Sequence, residues 1–196
     1  KSALVRAIAG CWPWGDGEIL QAQGTRVSVI PQRAYIPAGT LRNAVMYPMV
    51  AERIAEDEIG DALAAVGLAQ FLPRLDDELP WEQTLSEGEK QRLAFARLLV
   101  HRADIVVLDE ATSALHVGAQ QHLMQLLHER MPDLTLISIG HRPELESFHR
   151  RKLTLRRECR GARFAAEQPI HQPRDGRVPV RRVASHSDFD RLNGSI

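Results

Sequence analysis

Ile105-Val106-Val107-Leu108-Asp109-Glu110 is a run of four apolar residues that ends on two adjacent carboxylates. Continuous apolarity, in place of period-two alternation, marks a strand buried on both faces, as in a parallel sheet. A parallel sheet requires helical crossovers, and the flanking sequence supplies them. Glu87 to Val100 carries apolar residues at Leu93, Ala94, Ala96, Leu99 and Val100, behind Ser86 and Gly88 as entry residues. Gly118 to Met131 reads as a further helix, and Leu134 to Ile139 as a second buried strand closed by Gly140-His141. Upstream, Leu4, Val5, Ile8 and Ala9 give a helical stripe ended by Gly10, and Thr25 to Ile30 is a β-branched strand stopped by Pro31. Strand and helix alternate, so the expected class is α/β. Between them, residues 41–83 are expected to be mainly helical, with Ile59, Leu63, Val66 and Leu68 on one face and breaks at Pro73 and Pro80.

The chain of 196 residues has 44% hydrophobic and 26% charged residues, which excludes an intrinsically disordered polymer. Its longest apolar run, Ala62 to Ala69, is far shorter than the roughly 18 residues of a membrane span. Cys11 and Cys159 stand far apart and outside any metal-binding spacing, so neither a disulfide framework nor a zinc site is indicated. The formal charge of zero conceals two unlike parts. Residues 150–196 hold twelve basic against five acidic side chains, so the remainder is net acidic. After Leu155 the periodicity dissolves, and 156–196 is expected to be a basic, disordered tail. With only Phe164 and Phe189 to stack on bases, that tail does not suggest specific nucleic-acid binding.

The two carboxylates at the end of a buried strand stand where open α/β sheets bind ligands. One can support Mg²⁺ while its neighbour polarises an attacking water, a division of labour suited to phosphoryl transfer. A more specific signal is Leu85-Ser86-Glu87-Gly88-Glu89-Lys90-Gln91-Arg92, which precedes the acidic strand. Ser86 and Gly88 stand at a helix start, where unpaired N–H groups and the positive end of the helix dipole attract a phosphate.

These residues resemble the nucleotide-binding domain of ABC transporters. Leu85 to Arg92 is similar to the family signature, Ile105 to Glu110 to the Walker B strand, and Ala111 to Leu115 to the run after it. Pro31-Gln32 resembles the Q-loop, Gly140-His141 the switch histidine, and Lys1-Ser2 the end of the glycine-rich phosphate loop. The wording of residues 10–19, 31–41 and 89–97 is most like the branch of peroxisomal fatty-acyl (subfamily D) transporters and bacterial relatives that fuse permease and ATPase, of the vitamin B12, bleomycin and peptide type. The resemblance covers about residues 1–155, with a helical subdomain at about 41–103. It implies a P-loop NTPase core with a parallel sheet, truncated at its N-terminus.

The resemblance also implies the roles. Lys1 would neutralise the β- and γ-phosphates of ATP; Ser2, Gln32 and Asp109 would serve Mg²⁺, and Gln32 would also sense the attacking water as a catalytic residue and couple to the permease. Glu110 would be the general base, and His141 would contact the γ-phosphate. Ser86 and Gly88 would cap ATP held by a second domain in a head-to-tail dimer. The partner would be a transmembrane permease on the same polypeptide, placing the domain on the cytoplasmic face of a bacterial inner membrane. The function implied is ATP hydrolysis that powers transport. A non-catalytic remnant is the alternative, because the loop's glycines are missing and His116 stands where the family's D-loop has Asp. Chromosome-maintenance ATPases with a similar head carry a long coiled coil between Q-loop and signature, for which the interval from Gln32 to Ser86 is too short.

Overall fold

A computed structural model describes residues 2–14, 18–48, 54–140, 142–158 and 161–170. At its centre β1 (Val27–Ile30), β2 (Ile105–Asp109) and β3 (Thr135–Ile139) form a parallel sheet with β2 in the middle. Val106, Val107 and Leu108 are at most 2% exposed, which is why this strand must be apolar on both faces. Ile30 pairs with Leu108 and Asp109 with Ile139, so the carboxyl ends of all three strands reach one edge together. The sequence-based reading of an α/β core therefore holds.

The first helix, α1 (Ser2–Ile8), ends at Gly10, whose φ of 71° is the left-handed cap that glycine adopts without steric cost. The crossover from β1 to β2 contains α2 (Leu41–Met46), α3 (Glu56–Ala65), a 3-10 turn (Ala69–Arg74), α4 (Trp81–Thr84) and α5 (Glu87–His101). Leu41, Ile59, Leu63, Trp81, Leu93 and Phe95 are buried here in one cluster. Trp81 meets Phe71 edge-on at 5.9 Å, and its indole N–H donates to the Asp77 carbonyl at 3.1 Å. Pro80 precedes α4, as a helix break should. Pro73, expected to break the helical block, lies inside the 3-10 turn, whose geometry its fixed φ can join. The second crossover carries α6 (Val117–Arg130), which leads into β3.

One expectation needs correction. The chain after Leu155 does not lose structure at once, because β4 (Arg151–Glu158) and β5 (Gly161–Pro169) form an antiparallel hairpin, separate from the central sheet. Only Lys152 to Arg156 alternates polar with apolar residues, too short a stretch to announce a pair of strands. Backbone pairing and cross-strand contacts hold it, including an ion pair from Arg151 to Glu167 at 2.8 Å. The remainder of the expected tail, 171–196, lies outside the described residues.

Candidate nucleotide site

Glu110 is the first residue past β2, and its backbone departs from ordinary strand geometry. Its φ is 52°, the left-handed region that a non-glycine residue occupies at a cost of about 1–3 kcal/mol. Two bonds hold it there. The Glu110 N–H donates to the Ile139 carbonyl at 2.8 Å, and the Glu110 carbonyl accepts from Ser113 N–H at 3.0 Å. The first ties the end of β2 to the end of β3, and the second starts the turn that reverses the chain towards α6. Glu110 lines a cleft of about 160 Å³ with Thr112, Ser113, Gly140 and Arg142. Asp109 stands one residue earlier in register with Ile139, and Gln32 leaves the same edge two residues beyond Ile30. Gln32 is exposed, while Asp109 and Glu110 are half-buried.

Ser2 opens α1. Its side chain, all of Lys1 and His141 lie outside the described residues. Hence the described site comprises Gln32, Asp109 and Glu110 on the sheet edge. Ser86 and Gly88 stand apart, at the start of α5, and are not among the residues lining the Glu110 cleft.

The start of α5 is a complete capping box. Ser86 Oγ accepts from Glu89 N–H at 3.3 Å, and the Ser86 N–H donates back to the Glu89 carboxylate at 2.9 Å. The hydroxyl proton of Ser86 is also directed at that carboxylate, at 2.7 Å. Burial works to raise the Glu89 carboxyl, yet the Ser86 hydroxyl and amide, with Arg92 nearby, hold it below the usual carboxylate range. Lys90 is buried beneath this turn, and its ammonium donates to Glu82 and Glu87, each at 2.9 Å. Those bonds raise its basicity above that of an ordinary lysine. A Cβ added to Gly88 would meet the Ala114 carbonyl oxygen at 3.5 Å, so the turn packs closely on the loop after Glu110.

Other features were not read from the sequence. Gln91, within the signature stretch and 2% exposed, hydrogen-bonds to the Q-loop backbone and to the loop after Glu110, contacts that its place in the stretch does not announce. Arg142 cross-links the segment leaving β3 to that same loop. Arg97 donates to the carbonyls of Ala44 at 2.6 Å and Tyr35 at 2.8 Å, which pins the exit of the Q-loop to α5. Burial lowers the basicity of Arg97 to about 10. His116 is the N-cap of α6, its Nδ1 accepting from Ala119 N–H at 3.1 Å. His122 and His128 are exposed, and His171 lies outside the described residues. His101 is the exception, half-buried with both ring nitrogens enclosed, because it closes the last turn of the buried α5.

A three-stranded parallel sheet with acidic residues at its carboxyl edge and a helical block in its first crossover defines a nucleotide-binding α/β domain of the P-loop type. The ABC transporter family model matches residues 1–113. The chain is 38% identical over 155 residues to an ABC transporter ATP-binding protein of Haemophilus influenzae, covering 79% of this chain and 26% of that protein. It is 35% identical over 157 residues to human ATP-binding cassette sub-family D member 3, covering 76% and 24%. In architecture it is similar to a bacterial Atm1-family ABC exporter solved with ATP bound, with a TM-score of 0.72, 25% identity, and coverage of 99% of this chain and 33% of the exporter. The chain belongs to the ABC transporter family, as its ATP-binding domain. It spans about a quarter of the length of these relatives.

Proposed function

We propose that this chain is the ATP-hydrolysing domain of a membrane transporter, in which ATP closes a head-to-tail dimer and hydrolysis reopens it. The observation that carries this reading is Glu110, fixed in a left-handed backbone at the carboxyl edge of a buried parallel strand, where it lines a cleft with Thr112, Ser113 and Arg142. There its carboxylate takes a proton from water as the water oxygen attacks the γ-phosphorus; the bond to the bridging oxygen breaks, and its electron pair leaves with ADP. The donor set at this edge fits a hard cation, since Asp109 offers carboxylate oxygens and Gln32 an amide oxygen. Mg²⁺ held by Ser2, Gln32 and Asp109 would neutralise charge building on the phosphate oxygens. Lys1 and His141 take the phosphate-contacting roles that the family resemblance gives them, and Ser86 and Gly88 cap the nucleotide of the opposite subunit.

The expected partner is a transmembrane permease on the same polypeptide, with this domain at the cytoplasmic face of the membrane. No helix among the described residues is long and apolar enough to cross a membrane, so spanning segments would come from other parts of such a protein. The test is Glu110→Gln in the complete polypeptide. Loss of a general base lowers turnover by about 10²–10⁴-fold. ATP binding is expected to persist and an ATP-bound dimer to accumulate; phosphate release near the wild-type rate would refute the assignment.

A further inference from the structure

We propose that Gln91 and Arg142 are positioning residues that clamp the loop Ser113–Leu115 from opposite sides and thereby set Glu110 against the Q-loop for hydrolysis; this rests on the ATPase reading above. The Gln91 amide oxygen accepts from Ala114 N–H at 3.0 Å, and its NH₂ donates to Ser113 Oγ at 3.3 Å and to the Gln32 carbonyl at 3.2 Å. One side chain of α5 therefore holds the Q-loop and the loop after Glu110 in fixed relation. From the other side, Arg142 donates through Nη2 to the Ser113 carbonyl at 2.8 Å. Its Nη1 donates to the Leu115 carbonyl and to Gln120 Oε1, both at 2.9 Å. Ser113 in turn donates its N–H to the Glu110 carbonyl at 3.0 Å, so the clamped residue is also the one that locks the strained backbone of Glu110.

Ser113 and Ala114 are exposed, so water could satisfy their backbone groups without either clamp. Gln91 lies in the core and reaches outward to them, which spends a buried amide on fixing the place of a surface loop. Arg142 lines the Glu110 cleft while bonding the same loop. A shift of the loop therefore moves Glu110 relative to Gln32, and misplacement of about 1 Å costs as much as 10²-fold in rate.

The experiment compares Gln91→Glu and Arg142→Lys with wild type in the complete polypeptide. Gln91→Glu keeps the acceptor for Ala114 and removes both donor bonds; Arg142→Lys keeps the charge and loses the fork that spans two carbonyls. Measured are kcat, the KM for ATP, Tm, and amide exchange in residues 111–118. The clamp predicts a fall in kcat of about tenfold or more, with KM for ATP within about twofold. Exchange should quicken in 111–118; Tm should fall by no more than about 4 °C in Arg142→Lys and further in Gln91→Glu, whose carboxylate is buried. An unchanged kcat in both variants overturns the proposal, as does a kcat that falls only in step with Tm. Should one variant fail to fold, the other decides. A wild-type protein without turnover removes the ATPase reading and the clamp's catalytic role together, whereas turnover sensitive to Glu110→Gln but indifferent to both clamp variants removes the clamp alone.

Discussion

Ser86 has two jobs in this reading, helix cap and phosphate donor, and a pair of substitutions separates them. Ser86→Ala removes the acceptor that meets Glu89 N–H at 3.3 Å and the donor that meets the Glu89 carboxylate at 2.7 Å. Losing such a cap costs about 1 kcal/mol, whereas glycine at the same position costs only a few tenths. In a domain of this size that difference, about 0.7 kcal/mol, is about 1–3 °C in Tm. Both substitutions delete the hydroxyl, and with it a charge-assisted hydrogen bond to phosphate; because that bond is made at the expense of the one to Glu89, the loss in ATP-dependent closure is a few-fold, less than the gross worth of about 1.5–3 kcal/mol. Differential scanning fluorimetry should therefore rank wild type, glycine and alanine in that order, while ATP-dependent dimerisation should place glycine and alanine together, both below wild type. If dimerisation followed Tm, with the glycine variant near wild type, Ser86 would be a cap and nothing more. The cap also has a pH signature. The Glu89 carboxyl is depressed in the folded state, so its contribution is present above its unfolded value and drains away as pH falls through the folded one. The gap in stability between wild type and Ser86→Ala should close in that acid range and be at its widest near neutrality.

Two further outcomes bear on the scaffold. His116→Ala should destabilise α6 by about 1 kcal/mol through loss of the bond to Ala119, while His116→Asp should restore the cap and gain about 0.3–1 kcal/mol at the positive helix end; urea unfolding in which the aspartate variant is no more stable than the alanine variant would refute the capping role. Trp81→Ala should cost about 3–5 kcal/mol, because Trp81 is 1% exposed and supports the turn before the signature helix; a loss under about 1 kcal/mol in the same assay would mean that the helical block does not depend on it.

The α/β core was legible because each of its elements has a local signal. β2 is a short apolar run ending on charge, and α5 has a serine cap with glutamate three residues later, which the structure realises as a capping box. The hairpin β4–β5 was not legible, because its order comes from pairing between two strands that are each too polar to announce a buried face. The motif residues on the sheet edge were recognisable from their order along the chain. What fixes them in space was not. Gln91 and Arg142 act through bonds to partners 22–59 positions away, and the left-handed backbone at Glu110 depends on Ile139, contributed by another strand. His116 shows the opposite error of emphasis. Its imidazole does not leave a gap where a carboxylate was expected, because Nδ1 supplies the acceptor that an aspartate at an N-cap would supply.

The start of α5 explains how such a helix can wait for a ligand. An exposed helix N-terminus has unpaired N–H groups and a positive end, and it attracts whichever anion can reach it. Here the anion is the chain's own Glu89, which takes both the amide and the hydroxyl of Ser86. A phosphate arriving from an opposite subunit would have to compete with that carboxylate for the same hydroxyl. The exchange replaces one charge-assisted bond by another of similar strength, so the hydroxyl contributes less to net closure than a bond made from an unoccupied donor would. The favourable balance must then come from donors that no carboxylate holds, foremost the backbone N–H groups of the first turn of α5. In the reading developed above, the serine thus changes hands from the helix's own cap to the ligand, and the backbone donors supply the gain.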